Sequence, residues 1–268
     1  MINLIREMFS YSFVVNAFLA GLLLAVSASI YSPIVVLKRM EFIGDGTAHA
    51  VFAGLAVAFF FGLDYKPVAI LTAVVFGLLI SFLSQKEASE NTAVGILLPV
   101  FMAFGMVVVS LIKGYTPDIM SYLFGNILLI STEDIYYLIF ITFVTILIYL
   151  LMRREILYFL ADEKTAKFFE VPVKFVRTIL LVGLALTVVS VVKISGVILV
   201  GAFLVIPGTI SKVYAKKFEH LVFYSLFVNI LSMFLGIILS YLFDLPPGPV
   251  VVLILFGMYI LSFLWKNK

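Results

Sequence analysis

Long uncharged stretches alternate with short polar ones along the chain. Tyr11–Leu37 runs 27 residues without a charge, and further apolar runs cover Pro67–Gln85, Asn91–Ile112, Ile135–Met152, Thr178–Val192, Ile194–Ser211, Leu221–Phe243 and Leu245–Trp265. Phe42–Leu63 is as long but carries Asp45 and His49. A helix needs about 20 apolar residues to cross a bilayer, and runs of this kind lack the strict alternation of barrel strands. The pattern predicts an all-α membrane bundle of eight or nine segments, with residues 1–268 forming one domain. Gly114–Thr132, apolar apart from Asp118, is either a crossing or a re-entrant helix. Ala25-Val26-Ser27 looks like a leader cleavage site, but the run around it exceeds the roughly 7–15 residues of a signal core. The reading is therefore a retained first transmembrane helix.

Polar residues between the runs set boundaries. Ser131-Thr132-Glu133-Asp134 offers a capping hydroxyl with an acid three residues on, and Asn91-Thr92 suggests a similar start before Ala93. Pro246-Pro247-Gly248-Pro249 predicts a tight turn between the last two helices, and Pro207-Gly208 a break in Ile194–Ser211. Within Arg153–Arg177, Asp162 is placed to cap a short helix over Ala161–Phe169, with Phe159, Ala166 and Phe169 on one apolar face.

Composition agrees with the pattern: 64% of residues are hydrophobic, 12% are charged, and the mean hydropathy is +1.23. Soluble domains carry about 25% charged residues. A net charge of +3 confined to loops offers nothing to nucleic acid. With no Cys, thiolate ligands, disulfides and Fe–S clusters are excluded. In the second half Arg153, Arg154, Lys164, Lys167, Lys174, Arg177, Lys212, Lys216, Lys217, Lys266 and Lys268 fall in alternate loops and the tail, with only Lys193 opposite. Those loops and the C-terminus are therefore expected in the cytoplasm. The first half balances: Lys38, Arg39 and Lys86 stand against Arg6, Lys66 and Lys113 if Gly114–Thr132 is re-entrant, and the sets exchange if it crosses. The adjacent Lys38-Arg39 pair, ending a long apolar helix, favours the first arrangement and puts Asp45 near mid-membrane.

Asp45 and His49 stand four residues apart in Gly44-Asp45-Gly46-Thr47-Ala48-His49-Ala50 and so share a helix face. An ionised Asp deep in a bilayer costs about 2.5–3.5 kcal/mol even on lenient scales, which packing alone does not require. A carboxylate and an imidazole at one point suit Zn²⁺, Mn²⁺ or Fe²⁺. The bland alternative is a buried pair hydrogen-bonded to itself, joining two helices. Glu41 either lines the inner vestibule or is an interfacial partner of Arg39. Asp118 and Asn126 either face the outer mouth or lie in a loop. No G-x-x-x-x-G-K-[ST], H-E-x-x-H or G-x-S-x-G motif occurs, so any ATP is bound by another chain. Two other classes use the same pair: a proton-driven secondary transporter with an Asp–His relay, and a membrane enzyme holding a catalytic metal.

The order of motifs resembles the membrane permease subunits of bacterial zinc and manganese ATP-binding-cassette importers, of vitamin B12-importer architecture, over essentially the whole chain. Arg39-Met40 followed by Gly44–Ala50 is similar to their Arg-Met…Gly-Asp-x-x-Ser-His-Ala signature. Glu90-Asn91-Thr92-Ala93-Val94-Gly95-Ile96, Leu123–Leu128, Asp162 with Ala166, Ser195–Val200 and Asp244–Gly248 match further blocks. The resemblance implies a dimer, most simply of identical chains, with its path at the interface. It implies transport of Zn²⁺, Mn²⁺ or Fe²⁺ past Asp45 and His49, with no permanent cofactor. It also implies a separate ATPase received at Asp162, Ala166 and Glu170, and an extracytoplasmic metal-binding protein. Its place is the bacterial inner membrane. Three residues depart from the pattern: Ala48 for Ser, Asn91 for Asp, and Glu170 for Gly in the loop that meets the ATPase.

Overall fold

The computed structural model describes residues 10–85, 89–112 and 130–266. Among them, eleven helices follow in order: α1 Ser12–Lys38, α2 Ile43–Phe61, α3 Tyr65–Ser84, α4 Glu90–Leu111, α5 Thr132–Leu151, α6 Arg153–Ala161, α7 Glu163–Phe168, α8 Val173–Ser195, α9 Val197–Tyr214, α10 Phe218–Phe243 and α11 Pro247–Lys266. Eight are long and apolar enough to cross a membrane, and α9 is a shorter apolar helix beside them. α8 is the hub, packed on α1, α2, α3, α5 and α9. α2, α3 and α4 form one mutually packed group, and α1, α9, α10 and α11 another.

Glycines set how closely these groups approach. A Cβ at Gly77 would stand 3.1 Å from the backbone of Val182, so α3 lies almost directly on α8. Gly208 does the same for α9 against α1: Ser32 Oγ accepts the Gly208 N–H at 2.7 Å. That bond explains a departure from expectation. Pro207-Gly208 does not break its helix, because a side chain of α1 serves the backbone where the proline disturbs it. The break lies at Gly196, whose φ of 79° ends α8 and starts α9. At the last turn Asp244 takes a left-handed φ of 52° to close α10, and Pro247-Gly248-Pro249 begins α11 rather than forming the turn. Proline is tolerated there because first-turn N–H groups have no helical partner. Ser131 and Asp134 form the expected reciprocal cap of α5. The cap of α4 is Ser89, which accepts from the Thr92 N–H at 3.1 Å, leaving Asn91 for another contact.

Two faces of the bundle are defined by contacts. Lys38 at the end of α1 sits over the Phe159 ring of α6, Arg177 at the start of α8 pairs with Glu90 at the start of α4, and Arg153 pairs with Glu219 at the start of α10. These ends share one face. On the other, Lys66 at the start of α3 reaches Glu133 at 3.0 Å, and Asn16 donates to the Ile130 carbonyl. α4 runs parallel to α2, with Gly46 against Val94 and Gly105 against Phe52. It therefore ends on the Lys66 face, where α5 also begins. With both flanks of Gly114–Thr132 on one face, the charge balance of the first half resolves: the Lys38-Arg39 pair shares the α6 face with Arg153, Arg177 and Lys217. Most of that segment, with Asp118 and Asn126, lies outside the described residues.

Candidate functional site: Asp45 and His49 on the second helix

α1 ends in a tight turn. Arg39 is left-handed (φ 57°), and the Met40 N–H returns to the Val35 carbonyl at 2.9 Å. α2 starts at Ile43, so Asp45 lies in its first turn and His49 one turn on. This start is recessed within the bundle. Gly46 packs on Phe76, two turns before the end of α3, and on Val94, one turn into α4. The carboxylate thus meets the amino end of a helix, where unpaired N–H groups and the helix dipole favour negative charge.

The glycines on either side of Asp45 have separate tasks. A Cβ at Gly44 would stand 3.1 Å from Val200 Cγ1 and 3.3 Å from Leu204 Cδ1 of α9; one at Gly46 would stand 2.5 Å from Val94 Cγ1. Both allow α2 to lie close against its neighbours while Asp45 faces α9. Opposite it is Gly201, where a Cβ would be 3.1 Å from Asp45 Oδ1. The wall beside the carboxylate is therefore bare backbone. Asp45 and His49 are half-buried, whereas Thr47, Ala48 and Ala50 between and beside them are fully buried. Ala48 belongs to the main apolar core, so a Ser there would bring a hydroxyl into apolar packing.

The two side chains are near enough for their charges to interact. Among the described residues neither makes a side-chain hydrogen bond, so the pair is not the internally satisfied link of the bland alternative. No third His, Asp or Glu among the described residues joins them to complete a metal-holding group. Glu41 is half-buried, and its Oε2 accepts from Asn91 Nδ2 at 3.4 Å. The same amide donates to the Arg39 carbonyl. An Asp at position 91 has no hydrogen to donate, so the amide at this position ties α4 to the turn that opens α2.

On the α6 face, Asp162 caps α7 by accepting from the Thr165 N–H at 3.0 Å. That bond holds its carboxyl below the usual carboxylate range. Ala166 is fully buried and Phe168 is exposed. Phe169 is not buried with Phe159 and Ala166 as expected; it stacks on Tyr158 at 4.7 Å, partly exposed. Glu170 has φ 57°, so the backbone keeps the left-handed geometry that a Gly would accept freely. The sequence reading missed α6, Gly201, and the Glu90–Arg177 pair; no motif spacing marks any of them.

The sequence matches the ABC 3 transport family over residues 10–266. The chain belongs to that family. Within it, a probable metal transport system membrane protein of Thermotoga maritima is 42% identical over 259 residues, covering 97% of this chain and 92% of the relative. The chelated iron transport system membrane protein YfeD of Yersinia pestis is 31% identical, covering 99% and 89%. The manganese transport system membrane protein MntB of Synechocystis is 30% identical, covering 98% and 86%. The structure of PsaBC from Streptococcus pneumoniae in complex with Fab superposes with a TM-score of 0.85 at 28% identity, covering 98% of this chain and 95% of that one. This ABC 3 family member is a multi-pass metal-transport permease rather than an enzyme. Membership sets aside both the membrane-enzyme and the proton-driven readings.

Proposed function

We propose that this chain is the membrane subunit of an ATP-driven importer that passes a divalent transition-metal ion between two copies of itself. The observation that carries the reading is the Asp45–His49 pair, half-buried and without side-chain hydrogen bonds among the described residues, with the Asp45 carboxylate facing the bare backbone of Gly201. A carboxylate oxygen and an imidazole nitrogen supply two ligands, while these metals take four to six. A second copy facing the same path supplies another two. Incomplete ligation suits transit, because an ion held by few ligands can leave. Glu41 lines the exit one turn below, and Asp118 and Asn126 are candidates for the outer mouth.

A separate ATPase docks on α7, whose cap Asp162, buried Ala166 and left-handed Glu170 shape the contact. An extracytoplasmic metal-binding protein delivers the ion to the Lys66 face. The basic α6 face and the C-terminus lie in the cytoplasm. The names of YfeD and MntB support Fe²⁺ and Mn²⁺ beside Zn²⁺ as cargo.

The test is metal uptake into vesicles holding the chain, its ATPase and its binding protein, with Zn²⁺, Mn²⁺ and Fe²⁺ in competition. Asp45→Ala and His49→Ala are expected to assemble and hydrolyse ATP but to lose uptake. Wild-type uptake in both variants would show the pair to be structural.

A further inference from the structure

Phe159 of α6 is fully buried, and two cations lie over its ring: Lys38 Nζ at 4.0 Å from the centroid and Arg177 Cζ at 5.8 Å. Arg177 Nε stands 3.1 Å from Glu90 Oε1, with the two side chains only 10% and 15% exposed. Glu90 is the first residue of α4, where the helix dipole favours its charge. The next residue, Asn91, donates to the Arg39 carbonyl and to Glu41. Arg39 to Phe42 is the turn from which α2 and Asp45 start. A continuous series of contacts thus runs from α6 to the turn that opens α2, three residues before Asp45. α7 is fixed to α6 at its origin, because Asp162 ends one helix and caps the next, and the Tyr158–Phe169 stack ties them again.

A contact serving only cohesion would be met at less cost by apolar packing, since desolvating two charges commonly outweighs their attraction. A buried ion pair has a different mechanical property. Pulling the partners apart leaves a buried charge uncompensated, a penalty that apolar neighbours separated by the same distance do not incur, and the two cations keep their attraction for the ring only while they stay over it. They hold one register, and so move as a unit.

We propose that Glu90 and Arg177 are positioning residues that carry a displacement of the α6–α7 platform to the Arg39–Phe42 turn, and so set whether the path at Asp45 is open. This rests on the docking of the ATPase at α7. Pushed at α7, α6 moves with Phe159; Lys38 and Arg177 follow the ring; and Glu90 and Asn91 pull the turn that begins α2. The link requires both charges, since a neutral amide at 90 still fills the space but attracts the guanidinium more weakly.

The experiment compares wild type, Glu90→Gln, Arg177→Lys and Phe159→Leu in vesicles with the ATPase, reading Mn²⁺ uptake and ATP hydrolysis together, plus co-purification of the ATPase. Each variant is expected to retain the ATPase and near-wild-type hydrolysis while ions moved per ATP fall about tenfold. A purely structural role would instead lower assembly, uptake and hydrolysis in parallel. Wild-type ions per ATP in Glu90→Gln and Arg177→Lys overturns the proposal. Should Glu90→Gln not assemble, Phe159→Leu interrogates the same link from α6, and full coupling there overturns it. Wild-type uptake in vesicles lacking the ATPase would instead overturn the docking reading beneath it, and with it the proposal.

Discussion

Asp45 depends on what is absent opposite it. Gly201→Ala would put a carbon 3.1 Å from Oδ1, tighter than ordinary contact, so the carboxylate must shift by some tenths of an ångström. In the metal-binding role proposed for Asp45, a carboxylate displaced that far loses optimal geometry, and metal uptake is expected to fall about tenfold with thermal stability unchanged; uptake at the wild-type level would show that the wall has slack. Glu170 presents the opposite case, a side chain where none is wanted. A left-handed non-glycine residue costs about 1–2 kcal/mol, so Glu170→Gly should raise the midpoint of thermal unfolding in detergent. A lowered midpoint would mean that the carboxylate has a compensating role. At this scale the sequence was legible where one helix carries the whole signal: a spacing of four places Asp45 and His49 on one face of α2. It was silent on Gly201, because periodicity assigns a face but not the helix opposite.

Helix ends were legible where the signal is local. Ser131 with Asp134, and Asp162 before α7, are caps that any chain with that spacing forms. Pro207-Gly208 misled because its consequence is decided by Ser32, 176 residues away. Ser32→Ala would leave the buried Gly208 N–H without its acceptor, at a cost of about 1–3 kcal/mol. The resulting loss of thermal stability should be partly recovered in Ser32→Thr, and an unchanged Ser32→Ala would assign the continuity of α9 to packing alone. The cap of α7 has a pH signature. Because its bond to the Thr165 N–H holds the Asp162 carboxyl below the usual range near 3.9, the cap is complete at neutral pH. It weakens only as pH falls through that lowered value. Docking of an ATPase at α7 is therefore expected to be flat from pH 8 to about pH 5 on account of this group, and Asp162→Ala should weaken docking across the whole range. Helix α6 escaped notice because nine residues with charges at the front are too few and too polar to resemble a span.

The proposed cytoplasmic face rests on how the helix ends group the basic residues. Arginines and lysines alone left the first half balanced, three against three whether Gly114–Thr132 crosses or re-enters. The described helix ends group the charges: α4 ends and α5 begins on the face where Lys66 meets Glu133, so the basic residues at 38 and 39 join those at 153, 154, 212, 216 and 217. One face then carries nearly all the strongly placed positive charge, and the orientation proposed above turns that face toward the cytoplasm by the inside-positive rule. The absence of native cysteine makes this directly measurable. Single cysteines at Leu63 and Leu245, both exposed on the Lys66 face, are expected to react with a membrane-impermeant maleimide on intact cells. Cysteines at Phe168 and Lys216 should react only after permeabilisation. A reversed pattern would invert the importer, placing α7 where no ATPase could reach it and ending the proposed function. A mixed pattern within either pair would instead contradict the two faces themselves. The expected pattern leaves Asp45 with a turn of charged and amide side chains leading to the cytoplasm, the direction in which an imported ion must depart.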